Sequence, residues 1–195
     1  MLDSIMVTPA VRRLRLREVG CWRELDIAFS PSLNIFAEEN STMGKTTLLQ
    51  SICQVLIPSL TMDGPLKGIA QRAGGSISME LRSTSISTDL DALHSINHHR
   101  FFEEPTSQWM GRILRQYIAA TTNEQALLLD DSVCAQLAHH LQEAVTLLQE
   151  ADCQVICMMA HTYPLVKVSG ARVFGLSMED QDRVARCRIL EEGRH

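Results

Sequence analysis

Aromatic residues are scarce, with 2 Trp, 2 Tyr and 5 Phe making up 5% of 195 residues. Leu, Ile, Val and the 9 Met must therefore fill most of any core. Only 6 Pro and 10 Gly are present, which excludes collagen-like and low-complexity chains. No CxxC pair occurs among Cys21, Cys53, Cys134, Cys153, Cys157 and Cys187, so neither a zinc ribbon nor a disulfide scaffold is indicated. The start, Met1 to Pro9, has no charged segment followed by a long apolar one, so no signal peptide is expected. No apolar run reaches membrane-spanning length. An excess of positive charge is also missing: Lys+Arg 18 against Asp+Glu 23 gives -5, which argues against a globally basic nucleic-acid binder. The expectation is a cytoplasmic protein with no membrane contact.

The composition is 45% hydrophobic and 21% charged, near the globular average, and one compact domain is the default reading. Arg13-Leu14-Arg15-Leu16-Arg17 and Leu25-Asp26-Ile27-Ala28-Phe29 alternate as half-buried strands should. Leu33 to Ala37 is a third, more continuous strand. Leu48, Leu49, Ile52, Val55 and Leu56 then fall at helical spacing, and Pro58 ends that helix. Residues 59–75 read as irregular, Ser76–Leu81 as a strand, and 83–100 as aperiodic.

The second half has a simpler rhythm. Trp109–Ala120 reads as a helix and Ala126–Leu129 as a buried strand. Leu137, Leu141, Ala144, Val145 and Leu148 mark one amphipathic helix, and Gln154–Ala160 is a second apolar strand. Val166–Val168 and Arg172–Leu176 suggest a closing hairpin around Ser169-Gly170. Continuous apolar strands alternating with helices predict an α/β fold whose parallel sheet is covered on both faces. Cys153 and Cys157 share a strand face, where buried thiols are the favoured reading and a zinc site the alternative.

The chemistry-bearing signal is Gly44-Lys45-Thr46-Thr47, between an apolar strand and an apolar helix. A nucleotide's phosphates need backbone N–H donors at a helix N-terminus, a cation, and a hydroxyl for Mg²⁺. Asn40, Ser41, Gly44, Lys45, Thr46 and Thr47 are the candidate nucleotide-binding residues. A full phosphate loop has glycine where this chain has Glu39, and a chance Gly-Lys-Thr at a helix start is the alternative. Asp130 and Asp131 end the strand Leu127–Leu129 at the edge where such sheets bind ligands. With Thr46, Asp130 is placed on Mg²⁺, and Asp131 on the attacking water; the rival reading is a pair of helix caps. His161 ends the next apolar strand and is assigned a γ-phosphate contact. Arg12, Arg13, Arg15, Arg17 and Arg23 cluster in the first strands. A solvated face is favoured there, with a DNA-backbone contact as the minority reading. His98-His99 and His139-His140 are weak metal candidates, because neighbouring helical side chains diverge.

Arg13–Phe29, Leu33–Thr47, Leu127–Asp131 and Gln154–Thr162, taken in order, resemble the ABC-type ATPase heads of the RecF/SMC family. The resemblance implies a P-loop NTPase fold with a small N-terminal β-lobe. The implied divisions are 11–82 as the lobe with the phosphate loop, 83–100 as a linker, and 101–195 as the second lobe. Lys45 and Thr46 match Walker A, Asp130 the Walker B aspartate, and His161 the switch histidine. Asp131 stands where the family has a catalytic Glu. Ser107 and Gln108 fall where a signature motif belongs, without its glycines. The implied cofactors are ATP and Mg²⁺, and the implied partner is a second head, identical or not, sandwiching ATP. An effector such as a nuclease and DNA are further implied partners. The implied activity is slow ATP hydrolysis in DNA repair, chromosome maintenance or phage defence. A nucleotide-binding interaction module without turnover is the alternative.

Overall fold

The computed structural model describes residues 5–38, 44–56, 75–82, 85–89, 107–137, 141–159, 171–179 and 184–192. The strands that alternate in sequence form an antiparallel sheet: β2 (Val11–Val19), β3 (Trp22–Ala28), β5 (Ser76–Leu81) and β6 (Ser85–Asp89), in the order β3-β2-β5-β6. Leu14 and Leu16 on β2, Leu25 and Ile27 on β3, and Ile77 and Met79 on β5 all point to one buried face. Arg13, Arg15 and Arg17 project from the other face of β2, as strand periodicity requires. Residues 85–89, inside the aperiodic stretch, thus add a fourth strand.

The continuous apolar strands form the larger sheet. β1 (Ile5–Pro9), β4 (Leu33–Glu38), β7 (Gln125–Leu129), β8 (Gln154–Met159), β9 (Arg172–Glu179) and β10 (Val184–Glu192) lie in the order β1-β7-β8-β4-β9-β10. β7, β8, β4 and β9 are mutually parallel, while β1 and β10 flank them antiparallel. β1 was not foreseen; its Pro9 is tolerated because β1 is an edge strand, where a missing N–H breaks no ladder.

Two cores flank the larger sheet. On one face Phe36, Leu128, Ile156, Met158 and Phe174 pack with α1 (Lys45–Leu56) and the buried face of the smaller sheet. Phe36 and Phe174 stack there at 4.5 Å. α1 touches both sheets and buries Leu48 to Cys53 without a break, as a helix sandwiched between layers must. On the opposite face Ile35, Leu127, Leu129, Val155, Cys157 and Val173 pack against α2 (Ser107–Ala120), α3 (Asp131–Leu137) and α4 (Leu141–Glu150).

The helix read through Leu137 and Leu148 is described as α3 and α4, with 138–140 outside the described residues. The closing hairpin pairs β9 with β10, not with Val166–Val168. β9 has β4 on its other side, so residues 172–176 have no free edge for a third strand. α2 also starts two residues earlier than Trp109, at Ser107.

Gln154 joins the layers. Its amide donates to Val11 O and Ser30 O, each at 2.8 Å, and accepts from Val11 N at 2.8 Å. A fully buried carboxamide is tolerated because its donors and acceptor are so employed. Cys53, Cys134, Cys153 and Cys157 are buried, with Cys153 and Cys157 in the same core, and all six cysteines are free thiols. Burial pushes the Cys53 thiol up to about 12. Contact with Cys157, then burial, raises Cys134 well above the ordinary range.

Candidate functional site

Parallel pairing brings the carboxyl ends of β4, β8 and β7 to one edge of the sheet. β8 lies between the other two, with Ala37 beside Met159 and Leu129 beside Cys157. The segments that follow β4 and β7 therefore meet across the end of β8. Gly44 and Lys45 follow the first, Asp130 and Asp131 the second.

Gly44 caps α1. Its φ of +110° is open only to glycine at low cost, and its carbonyl accepts the first helical bond from Leu48 N at 2.8 Å. No acidic residue occupies the first turn of α1, so the positive end of the helix is not neutralised from within. Lys45, the first helical residue, is 5% exposed. Its Nζ lies 3.1 Å from Asp131 Oδ2. Thr46 is exposed and Thr47 half-buried.

The two aspartates differ. Asp130 Oδ1 accepts from Val133 N at 3.1 Å, and Asp130 O accepts from Cys134 N at 3.0 Å. Asp130 is thus the N-cap of α3, the arrangement that stabilises a helix start. Asp131 is the residue that reaches Lys45. Its Oδ1 is shielded and has no hydrogen-bond donor among the described residues, although the side chain as a whole is half-exposed. The helix-capping alternative thus describes Asp130, and the cation-facing role falls to Asp131.

Lys45, Thr46, Asp130 and Asp131 are therefore brought to one strand edge. Ser107 and Gln108 lie in the first turn of α2. Asn40, Ser41 and His161 lie outside the described residues, as do Glu39 and both His-His pairs. Two arginines of the cluster, Arg13 and Arg15, are ion-paired. Arg13 makes two 2.6 Å bonds to Asp26, and Arg15 reaches Asp26 at 3.3 Å and Glu80 at 3.4 Å. That arrangement is a solvated, ion-paired strand face. Among the described residues no cluster of three metal-ligating side chains occurs, and no described helix is long and apolar enough to cross a membrane.

The fold belongs to a recognisable class: the described elements match those of SMC head domains. The SMC head domain from Thermotoga maritima superposes with a TM-score of 0.58 at 11% identity, over 93% of this chain and 99% of that one. An SMC head bound to the C-terminal winged-helix domain of ScpA gives 0.52 at 9% identity, over 94% and 98%. No family model matches the sequence, and no curated protein matches it. At such identities the likeness is one of fold.

Trp22 is a residue of the site region that motif reading does not find. It is fully buried beneath Gly44, and nothing in its local sequence marks it.

Proposed function

We propose that this chain is an ATP-binding head whose phosphate site is the edge formed by Gly44, Lys45, Thr46, Asp130 and Asp131. The observation that carries this is the buried Lys45 ammonium at a helix start, 3.1 Å from a carboxylate contributed by a strand end. A cation held there at the positive end of α1 suits an anionic phosphate, and Asp131 is the counter-charge that a phosphate would displace. Lys45 then neutralises the β and γ oxygens while the first amides of α1 receive the phosphate. The Mg²⁺ fit rests on the Thr46 hydroxyl, the Asp130 carboxylate and the unpaired Oδ1 of Asp131. A bound Mg²⁺ supplies charge neutralisation between the phosphates. His161 and, from a second head, the Ser107–Gln108 helix start complete the site by the family's pattern.

Slow hydrolysis is the activity this arrangement supports. Asp131 is one methylene shorter than Glu and engaged with Lys45, so it orients water less well. A nucleotide-binding module without turnover is the second reading, supported by the use of Asp130 as a helix cap. Nucleotide-dependent pairing of heads and docking of a protein effector belong to the same proposal. The SMC head that carries a bound winged-helix domain gives a precedent for a protein partner. Repair, chromosome or defence roles follow from resemblance alone.

The test is ATP calorimetry and phosphate release. Lys45→Ala is expected to weaken ATP about tenfold to a hundredfold with the fold intact, the loss of one charge-assisted contact. Asp131→Asn retains binding but loses turnover, and Asp131→Glu is faster than wild type. Equal ATP affinity in Lys45→Ala and wild type removes the site. Undiminished turnover in Asp131→Asn leaves the binding module.

A further inference from the structure

We propose that Trp22 is a positioning residue of the phosphate loop, through which the antiparallel sheet sets the conformation of Gly44. This rests on the phosphate-site reading above. Three observations converge on it.

The contact is direct. Trp22 Nε1 donates to Gly44 O at 3.4 Å, and that carbonyl also accepts from Leu48 N at 2.8 Å, so both its lone pairs are employed. A Cβ on Gly44 would lie 3.0 Å from Trp22 Cζ2 and 3.7 Å from Ala185 Cβ. The indole therefore packs under the turn that starts α1, and it holds the carbonyl whose orientation fixes the first helical amides.

The backbone is distorted to aim it. Glu18 has φ +51°, a conformation uncommon outside glycine, asparagine and aspartate. On β2 the buried residues run Leu14, Leu16 and then Val19, and on β3 Trp22, Leu25 and Ile27. The alternation slips by one position in both strands, so the Val19–Trp22 pair at the hairpin end is turned inward. Strain of this kind persists where surrounding structure over-determines it. Gly20, at φ +57°, closes the two-residue turn.

The hairpin end is also clamped. Cys21 O accepts from Ala185 N at 2.9 Å, tying the turn to the start of β10. Gly44 thus sits at a junction of the small-sheet hairpin, α1 and β10. A change at Gly44 on nucleotide binding is felt by the indole, and a change in the indole by Gly44.

The test compares Trp22→Phe, which keeps a ring but loses the N–H, with Met79→Ala, a core truncation in the same sheet. Met79 pairs with Leu14, five residues along β2 from Trp22's partner Val19, or about 16 Å away. Trp22→Phe is expected to bind ATP about three- to tenfold more weakly, the worth of a modest hydrogen bond. Met79→Ala is expected to lower Tm yet keep wild-type affinity. In a Trp109→Phe background, Trp22 emission is expected to shift on adding ATP, which reads the contact without altering it. Unchanged affinity in Trp22→Phe, or unchanged emission at saturating ATP, overturns the inference while wild-type binding stands. A wild-type chain that binds no ATP removes the phosphate-site reading, and this inference with it.

Discussion

The two sheets solve opposite problems. In the antiparallel sheet one face is dry and the other carries Arg13, Arg15, Asp26 and Glu80, so alternation in sequence marks most of β2, β3 and β5. In the larger sheet β7 and β8 are buried on both faces, and Leu127, Leu128 and Leu129 are all fully inaccessible. Alternation disappears there, and order is set by contacts remote in sequence. The small sheet is thus a half-wetted wall, and the large one a dry partition whose carboxyl edge brings Lys45 beside Asp131. The contrast teaches that the wall shares a core with one face of the partition through Leu14, Leu16, Leu25, Ile27, Ile77 and Met79, and that it reaches Gly44 through one residue, Trp22.

The contrast fails if truncation in that shared core is cheap. Phe36→Ala removes a ring stacked on Phe174 and in contact range of Phe29, and is expected to cost about 3–5 kcal/mol. Urea unfolding of the variant measures it, and a loss below about 1 kcal/mol would show that the shared core stores little stability. Gln154→Leu asks whether the layers are joined by polar bonds as well as by apolar contact. Val11 N and Val11 O lose their partner in the interior, for an expected cost of about 2–4 kcal/mol. Amide exchange at Val11 should rise more than the global change requires.

The smallest effect belongs to the wetted face. The hydrogen bond from Arg13 holds the Asp26 carboxyl below its usual range against the opposing effect of burial, with further help from Arg15. A lowered folded pKa means the contribution is complete above the ordinary aspartate pKa and fades as pH falls through the folded value. Asp26→Asn should therefore lower Tm by no more than about 3 °C at neutral pH. The difference from wild type should close below about pH 3. A gap that widens on acidification would contradict the pairing.

Legibility followed the same division. β2, β3 and β5 could be read because polar and apolar residues alternate. β7 and β8 could be read as strands, but their placement beside β4 could not, since nothing in an apolar run names its neighbour. β10 went unread: with Arg186, Arg188 and exposed Ile189 it has the mixed pattern of an edge. The helix read from Leu137 to Leu148 was found by its apolar spacing, but that spacing did not extend it back to the start at Asp131, where Asp130 caps the first turn. Lys45 and Asp131 were both singled out by residue type and context. Their contact, 86 positions apart, and the division of roles between Asp130 and Asp131 needed coordinates. A helix cap and a partner for Lys45 are the same residue type at the same strand end.

The pairing of β4 has a consequence for how the chain is made. β2 and β3 are joined by a two-residue turn and can zip together as soon as they leave the ribosome. β4, only five residues later, finds its neighbours in Val155–Met159 and Arg172–Leu176. The strand that leads into Gly44 therefore waits, unflanked, while more than a hundred further residues are translated. During synthesis the hairpin bearing Trp22 is an early platform, and the Lys45–Asp131 edge is closed late.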